Sequence, residues 1–114
     1  MDLLHIIKWS AVAVTLVYGL YAMIKPGGLK KIAGLETTGA RGVTEIRAVM
    51  GGTFVGLAVA TTVLNTPAAF TMLGIVYAAN AVIRTLSMVL DKSVTRSNAI
   101  SLGVETALAI LLVI

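Results

Sequence analysis

Apolar residues fall in four long runs separated by short polar stretches, and within each run they occupy nearly the whole helical circumference instead of one stripe. The pattern predicts helices over about 3–24, 44–64, 67–90 and 98–114. A bilayer core requires about 20 apolar residues, and the shortest run, at about 1.5 Å per residue, still covers roughly 25 Å with little tilt. Lys8 and Trp9 at one end of the first run, with Tyr18, Tyr21 and Lys25 at the other, make the aromatic and snorkelling pattern of two interfaces. That run exceeds the signal-peptide core of about 7 to 15 residues and no small-x-small cleavage site follows it, so it is expected to stay in the membrane. Pro26-Gly27-Gly28 stops the first helix, Asn65-Thr66-Pro67 is a tight reversal, and Asp91 to Ser97 form the last loop. The expected fold class is all-α, an integral membrane four-helix bundle in a single domain, residues 1–114, with a short basic loop after helix one and another after helix three.

Composition supports the membrane reading. Hydrophobic residues make up 58% and charged residues 12%, against about 25% charged in soluble domains. The net charge of +4 does not point to nucleic acid, because the basic residues lie between apolar spans without interleaved aromatics. Lys25, Lys30, Lys31, Arg41, Arg47, Lys92 and Arg96 fall on one side of a four-span topology and only Lys8 on the other. That imbalance places both loops in the cytoplasm and both termini outside. The segment between the first two spans is either a solvated basic loop or a short interfacial helix, Leu29 to Leu35, whose lysines reach lipid phosphates while Leu29, Ile32 and Leu35 dip below them.

Candidate chemistry is sparse. Without cysteine there is no thiolate metal site or thiol nucleophile, and His5 alone cannot build a haem or zinc site of several imidazoles. No metal, cofactor or catalytic residue is expected, and no nucleophile–base pair is evident. What the third span does carry is a polar stripe: Asn80, Arg84, Ser87 and Asp91 follow at steps of four, three and four. Arg84 lies about 10 Å deeper than Asp91. On the last span, Asn98, Ser101 and Glu105 make a matching stripe, with Glu105 at the depth of Arg84. An unpaired arginine facing hydrocarbon costs roughly 2.5 kcal/mol or more, so Arg84 and Glu105 are expected to pair. Glu45, Arg47, Tyr77, Asn80, Arg84, Ser87, Asp91, Ser101 and Glu105 form the candidate polar cluster, either a clasp fixing helix register or the lining of a pocket. On the second span, Ala48, Gly52, Gly56 and Ala60 recur every four residues, the small-xxx-small pattern of close helix packing, expected against a neighbour in the same chain in preference to a dedicated dimer face.

The octapeptide Glu45-Ile46-Arg47-Ala48-Val49-Met50-Gly51-Gly52, the Arg84 to Asp91 segment and Glu105 resemble an uncharacterised bacterial family of small four-helix membrane proteins, a domain of unknown function. The resemblance covers most of the chain from Arg41 onward, and Asp91-Lys92 stands where that family pattern has aspartate followed by glycine. The family is distantly similar to the DoxX-like four-helix membrane proteins. That resemblance implies a fold, an association with oxidoreductases and a bacterial inner membrane, and transfers no catalytic residue. The first functional reading is a non-enzymatic accessory or assembly subunit that packs against other membrane subunits or copies of itself. The alternative is a binding or transport module whose charged cavity takes a small anion, a lipid headgroup or a quinone.

Overall fold

In a computed structural model that describes residues 2–114, the described residues contain helices and no strand. Helix α1 runs Leu3–Ile24 and is followed by a 3-10 turn, Pro26–Gly28, and a short helix α2, Leu29–Ala33. The second span is continuous from Gly39 to Leu64. It consists of α3, Gly39–Glu45, a π-helical stretch, Ile46–Gly52, and α4, Thr53–Leu64. Helices α5, Pro67–Leu90, and α6, Arg96–Val113, complete the chain. Four helices among the described residues are long and apolar enough to cross a membrane. Their outer faces carry Val14, Val17, Ile75, Ile83, Leu86 and Ile110, all exposed, as a lipid-facing surface requires.

Local chemistry sets the ends. Thr66 caps α5 by accepting a hydrogen bond at Oγ1 from the Ala69 N–H at 3.2 Å, and Pro67 takes the first helical position, where its missing N–H costs nothing. Thr95 caps α6 in the same way, accepting from the Asn98 N–H at 3.2 Å. The last span therefore starts at Arg96 and not at Asn98, because a cap residue lies three positions before the N–H it satisfies. The second span starts at Gly39, five residues before Thr44, because Gly39 adopts φ +70° and lets the chain turn directly into α3. Hydroxyls inside the spans are satisfied by the preceding turn: Thr61, Thr62 and Thr85 donate to the carbonyls of Leu57, Ala58 and Ala81.

The chain forms two compact units. One joins the start of α1, up to Ala11, to Asn65–Ile114; the other is Val12–Leu64. In the first unit α5 and α6 form an antiparallel hairpin that buries Leu73, Tyr77, Ala109 and Leu112. Their backbones come closest at Gly74, where an added Cβ would lie 2.7 Å from Val113 Cγ2 and 3.2 Å from the Ala109 carbonyl oxygen. Phe70 closes the end of the hairpin opposite the α5–α6 turn, its ring centroid 5.2 Å from that of Trp9 in an edge-to-face pair. Trp9 in turn donates from Nε1 to His5 Nε2 at 3.0 Å.

In the second unit the close approach is between Gly19 and Gly51. A Cβ on Gly19 would meet the Val55 nitrogen at 2.7 Å and the Gly51 carbonyl oxygen at 3.0 Å. This corrects the packing face expected at Ala48, Gly52, Gly56 and Ala60. Ala48, Gly52 and Gly56 are exposed and Ala60 is half-buried, while Gly51, Ala58 and Thr61 are buried. The π-helical stretch supplies the reason, because its i→i+5 bonding brings residues five apart, here Ile46 and Gly51, toward one side, and both are buried.

Candidate functional site

The polar stripes of α5 and α6 meet around one guanidinium. Arg84 donates from Nε to Glu105 Oε1 at 2.6 Å and from Nη2 to Glu105 Oε2 at 3.1 Å, the paired geometry that makes arginine–carboxylate bonds strong. Its Nη1 donates to Asn98 Oδ1 at 3.0 Å. Asn98 and Glu105 stand seven residues apart, two turns on one helix face, so the guanidinium sits between an amide and a carboxylate spaced about 10 Å along α6. Asn98 is itself held by its Nδ2 donating to the Ser93 carbonyl at 2.9 Å, which ties the site to the turn between the helices. The Arg84 side chain keeps 32% of its surface and Glu105 only 13%, so the acid is the more enclosed partner.

The structure brings only part of the expected cluster to this pair. Ser87 and Asp91 form a separate exposed contact, Ser87 Oγ donating to Asp91 Oδ2 at 2.6 Å. The reason is their i, i+4 spacing at the end of α5, where a serine and an aspartate satisfy each other within one turn. Glu45 and Arg47 belong to the other unit and are exposed; there Arg41 donates from Nη2 to Glu45 Oε1 at 3.4 Å, one helical turn away. Tyr77 is buried two turns deeper than Arg84, and Asn80 and Ser101 are half-buried on the same two stripes. Among the described residues, no buried side-chain nitrogen or oxygen lacks a hydrogen-bond partner. Asn98 is the acceptor that was missing from the expected cluster, and its signal in the sequence is its place on the stripe of Ser101 and Glu105.

The turn that positions Asn98 has an unusual residue at its corner. Lys92 adopts φ +51°, in the left-handed region that favours glycine, directly after Asp91 ends α5. With Ser93 N–H bonded to the Met88 carbonyl at 3.0 Å, the corner closes the hairpin and sets the register in which Arg84 faces Glu105.

Chemically this arrangement can neutralise a charge within an apolar span and hold two helices in register. Compared with curated proteins and with solved structures, the chain matches none. A family profile does match it, over residues 3–114, and the chain belongs to that family, described as Domain of unknown function (DUF4345).

Proposed function

We propose that this chain is a non-enzymatic membrane subunit that assembles with other membrane proteins, or with copies of itself, through the open face of its second span. The observation that carries the reading is the state of Ala48, Gly52 and Gly56: all three are exposed, and a Cβ built on Gly56 meets nothing within 4 Å. Gly19, Gly51 and Gly74 are already used in close helix contacts within the units. Lipid tails are as apolar as leucine, so helix association in a bilayer depends on close backbone approach and dispersion contact, which a strip of small side chains permits. The Arg84–Glu105–Asn98 site complements this role as a clasp that stiffens the α5–α6 hairpin. The loops and adjoining helix ends that carry Lys25, Lys30, Lys31, Arg41, Arg47, Lys92 and Arg96 then lie at the cytoplasmic side of a bacterial inner membrane, with both termini outside.

The test uses the absence of cysteine from the chain. A single cysteine at Gly56 should give a disulfide-linked pair in native membranes if copies assemble, or a defined heteromeric complex by native electrophoresis if a different subunit docks. Gly56→Leu should abolish either complex without lowering the melting temperature. A monomer in native membranes, unchanged by Gly56→Leu, would refute the reading.

One observation favours the alternative. With about a third of its surface uncovered, Arg84 can offer a donor to an anion, a lipid headgroup or a quinone carbonyl. In that case Arg84→Met combined with Glu105→Gln yields a folded chain that fails to retain the ligand.

A further inference from the structure

The segment after α1 is built as a fixed platform. Its helix α2 ends in a left-handed Gly34, φ +69°, with the Gly34 N–H bonded to the Lys30 carbonyl at 3.1 Å and the Leu35 N–H to the Leu29 carbonyl at 3.3 Å. The first of these, from the left-handed residue to the carbonyl four positions before it, is the αL cap of a helix end. Leu29 is fully buried in a cluster with Ala22 and Ile46, packed by Tyr18, Tyr21 and Met50. Gly28 lies against the Tyr21 phenol, which a Cβ there would displace, and Pro26 is buried. Beyond the cap, Lys30 Nζ reaches Glu36 Oε1 at 2.6 Å in an exposed pair.

Two of the five cations in this unit are answered by carboxylates, Lys30 by Glu36 and Arg41 by Glu45. Among the described residues no carboxylate pairs with Lys25, Lys31 or Arg47. All three are exposed, and each lies within three residues of a member of that buried cluster: Lys25 after Ala22, Lys31 after Leu29 and Arg47 after Ile46. Beside them Ile32 and Leu35 remain 48% and 38% exposed. Cations without acidic partners next to exposed aliphatic side chains, at the end of two membrane spans, match the two halves of an anionic lipid, its phosphodiester and its upper acyl chain.

We infer that Lys25, Lys31 and Arg47, with Ile32 and Leu35 beneath them, form a docking surface for the head groups of anionic phospholipids. Such a surface seats the ends of the first two spans at the headgroup level.

The purified full chain in mild detergent is titrated with phosphatidylglycerol and with phosphatidylcholine of the same acyl chains, and bound lipid is counted by native mass spectrometry. Phosphatidylglycerol should be retained selectively. Each basic side chain near an anionic surface is worth about fivefold, so Lys25→Gln, Lys31→Gln and Arg47→Gln together should weaken its binding by about 100-fold. A control with Lys92→Gln and Arg96→Gln, which removes basic residues of the other unit, should leave it largely intact. Equal binding of the two lipids, an equal loss in the control, or displacement by millimolar inorganic phosphate would each overturn the proposal. Should the triple variant lose the wild-type melting transition, salt decides on the unaltered protein. Raising NaCl from about 0.05 to about 0.5 M, which shortens the screening length severalfold, must then weaken phosphatidylglycerol binding, and indifference to salt overturns the proposal.

Discussion

Gly19 and Gly51 face each other so closely that a Cβ on either would approach the other's carbonyl oxygen, at 3.0 Å from Gly19 and 3.1 Å from Gly51. Two helices meet there backbone to backbone, and only hydrogen fits at both positions. Overpacking of this kind commonly costs about 1 to 3 kcal/mol, so Gly19→Ala is expected to lower stability by about that amount, read as a lower melting temperature in detergent. Gly56→Ala should be neutral or stabilising by up to about 1 kcal/mol, because alanine is the better helix former and nothing opposes its methyl group. Equal losses at both sites would place the packed face one residue further along the helix.

Removing either member of the Arg84–Glu105 pair leaves the other charge without its partner inside an apolar hairpin. Breaking a buried pair commonly costs about 3 to 5 kcal/mol, and the partial exposure of the arginine left behind places Glu105→Gln at the lower end. Arg84→Met together with Glu105→Gln should cost less than the sum of the two single changes, a coupling measured by a double-mutant cycle of unfolding free energies. Strict additivity would mean that the two side chains do not meet in the folded protein.

Trp9 is the sole tryptophan, so its fluorescence reports the end of the first unit opposite the α5–α6 turn. Phe70 is 3% exposed and stands edge-on to the indole. Phe70→Ala should destabilise the protein by about 3 kcal/mol or more and shift Trp9 emission to the red as the ring loses its apolar cover. An unshifted spectrum with unchanged stability would contradict this packing.

Lys92 holds a left-handed conformation that costs a side-chain-bearing residue about 1 to 2 kcal/mol relative to glycine. Lys92→Gly should relieve this strain, offset in part by the greater freedom of glycine in the unfolded chain. The expected outcome is a stabilisation of up to about 1 kcal/mol, visible as a higher melting temperature. A marked loss of stability would show that the lysine side chain makes a contact stronger than the backbone strain.

Membrane orientation is open to direct labelling. Single cysteines at Lys31 and Ser93 should react with an impermeant thiol reagent from the cytoplasmic side only, and one at Leu3 from the opposite side only, as the concentration of basic residues in two loops requires. Reaction of both loops from outside would invert the topology.

The four spans were legible in the sequence because their causes are local. Continuous apolarity sets their number, and Thr66-Pro67 the start of the third, whereas the earlier starts of the second and fourth rest on the backbone of Gly39 and the cap at Thr95. The pairing of Arg84 with Glu105 was legible for a related reason: a short turn between α5 and α6 makes the hairpin antiparallel, so residues at matched distance from that turn must lie side by side. Tertiary structure alone decided which face of the second span is packed. Gly51 and Gly52 are adjacent and chemically identical, and a π-helical stretch selects between them through a backbone bonding pattern that side-chain periodicity does not encode. It likewise decided that Glu45 answers Arg41 and that Asn98 holds the third edge of the guanidinium, because a salt bridge or amide contact depends on rotamers and helix register together.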